Sequence, residues 1–145
     1  MEKLFIIYGK NGGTVVINDK GKERIINRTL MEYLDYLSLC YGSSLEGRFE
    51  AFEYYTGVNR RKGIIISNSQ KIYLIATKNL KSKNVVLINY NHVKSYHKYD
   101  AYKTLLVFDN GLEYIINTDY RIIKRQMKNM YKYVVSYREE RLKVL

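Results

Sequence analysis

Apolar residues recur at two different spacings along this chain, and the change from one to the other marks the elements. Leu4–Tyr8 and Thr14–Ile17 are short β-branched and aromatic runs separated by Gly9-Lys10-Asn11-Gly12-Gly13, which predicts a hairpin with a loop of about five residues. Glu23–Ile26 adds a third strand beyond the Asn18–Gly21 turn. The period then lengthens. Thr29-Leu30-Met31-Glu32 has capping-box spacing, and Leu30, Leu34 and Leu37 fall on one face of a helix ending near Cys40. Ser43-Ser44-Leu45-Glu46 repeats the capping spacing after Gly42. It opens a second helix with Phe49, Phe52 and Tyr55 inward and Gly57 as terminator.

From Gly63 the period shortens again. Ile64–Ser67, Ile72–Thr77, Asn84–Asn89, Val93–Tyr99, Tyr102–Phe108 and Leu112–Asn117 read as six strands, the last two joined by the turn former Asp109-Asn110-Gly111. Thr118 or Asp119 then caps a long helix whose apolar face is Ile123, Met127, Met130 and Val134, with Arg121, Lys124 or Arg125, Lys128 and Lys132 opposite. The pattern predicts an α+β fold. Its core is antiparallel and mostly β, curled on itself in a pleckstrin-like manner, with two short helices before it and one long C-terminal helix closing an end; the alternative is a flatter sheet packed on the helices. Residues 1–145 make one domain, with no linker or repeat and no proline anywhere.

Composition narrows the chemistry. The longest apolar runs are too short to span a bilayer and nothing resembles a secretory signal, so a cytoplasmic location is expected. One cysteine and two histidines supply neither a disulfide nor a metal set, and no nucleophile-base or carboxylate pair emerges, so no enzyme, metal or cofactor is predicted. Charge is the informative quantity. The net +11 is concentrated in residues 58–103, which hold 10 basic and 1 acidic residue, and a surplus so placed points to a polyanion. Arg60, Arg61, Lys62, Lys78, Asn79, Lys81 and Lys83 lie in predicted loops, and Lys94 and Lys98 flank a predicted strand. Arginine sheds its hydration more readily than lysine, and asparagine can pair with base-edge acceptors. Tyr96, Tyr99 and Tyr102 interleave with lysine and could stack on bases, although half-burial is the commoner fate of a tyrosine. His92 and His97 could form a pH-sensitive pair or play ordinary structural parts.

The stretch CYGSSLEGR, residues 40–48, admits more than one reading. It lacks the Gly-Lys-Ser/Thr of a phosphate-binding loop and the Gly-x-Ser-x-Gly of a serine nucleophile, and its spacing suits a corner between helices. Arg48, beside the bare Gly47, is expected to point outward at a ligand, or otherwise to pair with the acidic first helix.

Cys40, Gly42, Ser43, Ser44, Gly47 and Arg48, followed by Asn91-His92-Val93 and by Thr104 through Phe108 leading to Asn110-Gly111, resemble the ComK family of competence transcription factors in order and spacing over roughly residues 28–130. The chain departs from the family pattern at Arg61-Lys62-Gly63, in place of a proline, and near Val86-Leu87, in place of a tryptophan. The resemblance implies an activator that binds AT-rich double-stranded promoter DNA as a homo-oligomer, largely through the minor groove. It also implies contacts with the transcription machinery or a regulatory proteolysis adaptor. A pleckstrin-like module for anionic lipid or a protein partner is the alternative.

Overall fold

The computed structural model describes the backbone of residues 2–144 and the side chains of residues 2–139. Strands β1 (Leu4–Lys10), β2 (Gly13–Asn18) and β3 (Glu23–Ile26) precede helices α1 (Leu30–Cys40) and α2 (Leu45–Thr56). Strands β4 (Ile64–Ser67), β5 (Ile72–Ala76), β6 (Val86–Asn89), β7 (Val93–Lys98), β8 (Thr104–Phe108) and β9 (Glu113–Ile116) follow, and α3 (Tyr120–Val144) ends the fold. All elements expected from the periodicity form. The first hairpin is tighter than expected, because Asn11 and Gly12 both adopt positive φ, 50° and 78°, and make a two-residue turn.

The curled single meander expected for the second half is replaced by two antiparallel sheets. One has six strands in the order β3-β2-β1-β6-β5-β4, the other three in the order β7-β8-β9. β6 pairs with β1 across the whole length of the intervening sequence, Ile6 opposite Ile88 and Tyr8 opposite Val86. The break falls at the Tyr90–His92 helical turn, where Asn89 takes up several backbone groups at once. Its carboxamide donates to the carbonyls of Leu4 and Lys71 at 2.8 and 3.1 Å and accepts from Tyr73 N at 3.0 Å. The chain therefore leaves the first sheet there, and β7 starts the second.

Alternation along the strands builds a core on each face of the large sheet. Ile65, Tyr73, Ile75 and Ile88 join Leu106 and Phe108 of the small sheet and Ile123, Met130, Tyr133 and Val134 of α3. Ile64, Ile66, Leu74 and Leu87 meet Leu30 and Leu34 of α1. Helix α2 serves both sides, with Leu45 in one core and Phe52 in the other. It so crosses the outer edge of β4, and covering both faces is why Ile64-Ile65-Ile66 is continuously apolar.

Gly63 is a point of close approach of α3 and α2 to this edge: a methyl placed there would sit 2.7 Å from Met130 Cε, 2.9 Å from Phe52 Cε2 and 3.3 Å from the Leu74 carbonyl. Gly63→Ala is accordingly predicted to destabilise the fold by about 1–3 kcal/mol through overpacking. A urea melt with an unchanged midpoint would show that α3 does not approach β4 so closely.

Candidate nucleic-acid interface

The register of the two sheets brings four connections to one end of the molecule. Ile64 pairs with Leu74 and Ala76 with Leu87, so the α2–β4 loop carrying Arg60–Lys62 and the β5–β6 loop carrying Lys78–Lys83 emerge together. Lys98 pairs with Thr104, and Thr104 with Ile116, which sends the β7–β8 turn and the start of α3 the same way. A cleft of about 300 Å³ lies between them, lined by Arg61, Lys78, Asn79, Asn117, Thr118 and Ile122 among others.

One buried side chain that the charge pattern gave no reason to single out holds these loops in place. Gln126 of α3, 4% exposed, donates from its amide nitrogen to the carbonyls of Arg61 and Ala76, each at 2.7 Å. Arg61 itself adopts φ 50°, so the loop turns sharply at that residue. On the same flank Lys132 Nζ donates to the carbonyl of Thr56, at the end of α2 where unpaired carbonyls concentrate negative charge. At the start of α3, Asp119 accepts from the Arg121 backbone at 2.8 Å and pairs with its guanidinium at 2.9 Å. The Arg121 hydrogen bonds, above all that of its side chain, hold the Asp119 carboxyl below the usual range, aided by the nearby charges of Arg121 and Lys98. This end therefore keeps Asp119, together with Asp100 of the β7–β8 turn, as negative charges amid its cations.

The residues expected to meet an anion divide into groups. Arg60, Asn79, Lys81 and Lys83 are exposed, Arg61 and Lys78 are half-buried beside the cleft, and Lys98 stands near Asp119. Lys62 is turned back onto α2, 2.8 Å from Glu53 and over the Phe49 ring. Lys94 is exposed but lies at the opposite end of β7, roughly 13 Å from Lys98 at the usual strand rise. Tyr99 and Tyr102 are exposed at the basic end, whereas Tyr96 packs against Tyr120 with ring centroids 5.6 Å apart. The histidines are not a pair: His92 is buried against Asp109, Nδ1 to Oδ2 2.9 Å, while His97 is exposed and bonds Ser95.

Arg48 corrects the outward placement expected for it. It is 8% exposed, and its five N–H groups donate to five backbone carbonyls. Nε meets Ile65, one terminal nitrogen meets Ser43 and Ser44, and the other meets Tyr41 and Ile66. Neither Glu32 nor Asp35 is a partner: Glu32 closes the capping box with Thr29, and Asp35 accepts from Leu45 N. The reason is helical phase. Leu45, Arg48, Phe52 and Thr56 form the buried face of α2, with Phe49 and Tyr55 only flanking it. Two of the carbonyls belong to β4 at its register shift, on a strand with no neighbour on its outer side, so the guanidinium supplies donors that a further strand would. Burial lowers the Arg48 pKa, with Tyr133 opposing that shift; burial, and after it Tyr137 and Tyr55, push Tyr133 up to about 12, with Arg48 the smallest and opposing influence. A cleft of about 500 Å³ beside Arg48 is thus bordered by a guanidinium with no donor to spare.

The rest of that block is also architectural. Gly42 adopts φ 96° where α1 ends. The α2 cap is Ser44, bonded to Gly47 N at 3.0 Å, one residue later than the Ser43–Glu46 spacing implied; Ser43 N bonds the Ser38 carbonyl at the end of α1. Cys40 is exposed. Asn91-His92-Val93 spans the joint between the sheets, and Asn110 ties the Gly111 turn to the Asp19 carbonyl of the large sheet.

An end this basic on a domain of this size is the mark of a protein that binds a polyanion. The chain belongs to the ComK family: the family model described as ComK protein matches residues 5–142. That membership makes it a DNA-binding transcription regulator. No curated protein matches the sequence. Among solved structures, it is similar to a LytTr DNA-binding domain from Bacillus cereus at 17% identity and a TM-score of 0.40, covering 86% of this chain and 80% of that one.

Arg48→Ala is predicted to lower stability by about 2 kcal/mol or more, since it strands buried carbonyls, and to leave DNA affinity per folded molecule unchanged. Arg48→Lys should restore only part of the loss, having three donors for five acceptors. Thermal melts and binding at a temperature where both variants are folded test this. An Arg48→Ala protein of parental stability that binds more weakly would return the residue to the interface.

Proposed function

We propose that this protein is a sequence-specific transcriptional activator of the competence type, reading AT-rich promoter elements largely through the minor groove. The observation that carries the reading is the convergence of Arg60, Arg61, Lys78, Asn79, Lys81, Lys83 and Lys98 on one end of the fold. Narrow AT-rich minor grooves concentrate negative potential, which favours cations on projecting loops, and their edges present acceptors that an asparagine amide can meet. The loops act as probes and the sheets as their rigid mount. The protein performs no catalysis in this account, works in the cytoplasm and binds DNA as a homo-oligomer, which multiplies the contact of one basic end. Contacts with the transcription machinery or a proteolysis adaptor belong to the same reading. Among the described residues no helix is long and apolar enough to cross a membrane, and anionic lipid is the competing partner for a basic surface.

Titrating AT-rich and GC-rich duplexes over a range of salt tests the reading. Arg60→Gln/Arg61→Gln should weaken binding and lower the log-log salt slope by up to about 1.8, two phosphate contacts at roughly 0.9 each. A minor-groove dye should displace the protein, while methylation of adenine N6, which lies in the major groove, should not. Parental slopes in the variant, sensitivity to adenine methylation, or sedimentation with anionic vesicles in preference to duplex would each contradict it.

A further inference from the structure

The solvent face of α3 carries a charge pattern that the loops do not account for. Arg121, Lys124, Arg125, Lys128 and Lys132 project within an arc of about 100° at helical spacing, and all five are exposed. Between Tyr120 and Arg138 the helix contains no acidic residue at all. A helix face that serves only for solvation ordinarily mixes signs, because oppositely charged neighbours at i and i+4 support it and like charges weaken it. Here Arg121 and Arg125, Lys124 and Lys128, and Lys128 and Lys132 are all like-charged i, i+4 pairs. Three of the five also sit in the first two turns, where the helix dipole disfavours cations. Only Arg121 is neutralised, by Asp119; Lys124, Arg125 and Lys128 make no ion pair among the described residues.

The stripe is continuous with the basic end. The Gln126 bond to the Arg61 carbonyl and the Lys132 bond to the Thr56 carbonyl lay the α2–β4 loop, which carries Arg60 and Arg61, along one flank of α3. On the other flank, Tyr120 meets Tyr96 of β7, and Lys98 lies near Asp119.

We propose that this face is a second DNA-contacting surface, a track for the phosphate backbone that lies along the duplex while the loops enter the groove. The inference rests on the DNA-binding reading above and adds a surface to it. From Arg121 to Lys132 the stripe runs about 16 Å at the α-helical rise, a length that matches roughly five phosphates of one strand at 3.4 Å each along the axis. Point cations on flexible stems at such spacing recognise the backbone and carry no information about bases, so the track sets affinity and orientation and leaves sequence preference to the loops.

The triple variant Lys124→Gln/Arg125→Gln/Lys128→Gln tests the track in the full chain, with AT-rich and GC-rich duplexes as probes and Arg60→Gln/Arg61→Gln in parallel. Its melting temperature should stay within a few degrees of the parent. Affinity should fall at least about tenfold for both duplexes, the salt slope should drop by about 2–3, and the ratio between duplexes should hold. Parental affinity and slope in the triple variant, with the loop variant weakened, would overturn the track and leave the reading of the loops intact. A lost preference for AT-rich duplex at parental slope would overturn it too, by giving the helix a base-reading part. Parental binding by both variants would remove the DNA reading itself.

Discussion

The apolar side of α3 seated between the two sheets is the packing on which the rest depends. Ile123, Met130, Tyr133 and Val134 close the core that Phe5, Phe52 and Phe108 share, and each side chain so buried contributes roughly 1.5–3 kcal/mol. Because the helix is anchored along that side, its opposite side must face solvent. Gln126 then fixes the α2–β4 loop and the end of β5 to the same helix through two 2.7 Å bonds. A chain with a net charge of +11 gains nothing for compactness by gathering cations at one end, and exposed charges repel within a Debye length of about 8–10 Å. Core packing outweighs that repulsion, and the fold so holds open a surface whose charge is balanced only when an anion arrives.

The two arginine-bearing regions show how burial decides what a cation does. Arg48 and Arg60 look alike as sequence, each near a turn and each within a few residues of a glycine. Arg48 falls on the inward phase of α2 and spends all its donors on carbonyls that would otherwise lack partners at the edge of β4. Arg60 lies past Gly57, which adopts φ 74° and ends the helix, and it emerges exposed. The first is a structural fork, and the second is available to a ligand.

Much of this was legible from periodicity and turn chemistry. The Thr29–Glu32 capping box, the Asn110-Gly111 turn and the amphipathic division of α3 all follow from local sequence, and the structure carries each of them. What stayed hidden depends on long-range pairing. Six consecutive strands do not announce that β6 will keep β5 but take β1 instead of β7 as its other neighbour, since that choice rests on the carboxamide of Asn89 and on burial of both sheet faces. The basic loops were visible as charge, but their convergence required the registers of two sheets. Gln126 had no signal beyond its position, 3 residues after Ile123 and 4 before Met130, on the buried phase of the helix. Arg48 did have one: its spacing of 3 from Leu45 and 4 from Phe52 marks an inward position, which the neighbouring Gly47 obscured.

One basic surface formed by the loop end and the α3 stripe is the central claim, and lysine footprinting tests it without altering the protein. Acetylation of the free protein and of its complex with AT-rich duplex, read by mass spectrometry, compares every lysine at once. The account predicts protection of Lys78, Lys81, Lys83, Lys98, Lys124 and Lys128, with Lys20 and Lys22 at the opposite end of the large sheet remaining as reactive as in the free protein. Protection of Lys20 and Lys22, with the loop and helix lysines unchanged, would contradict it.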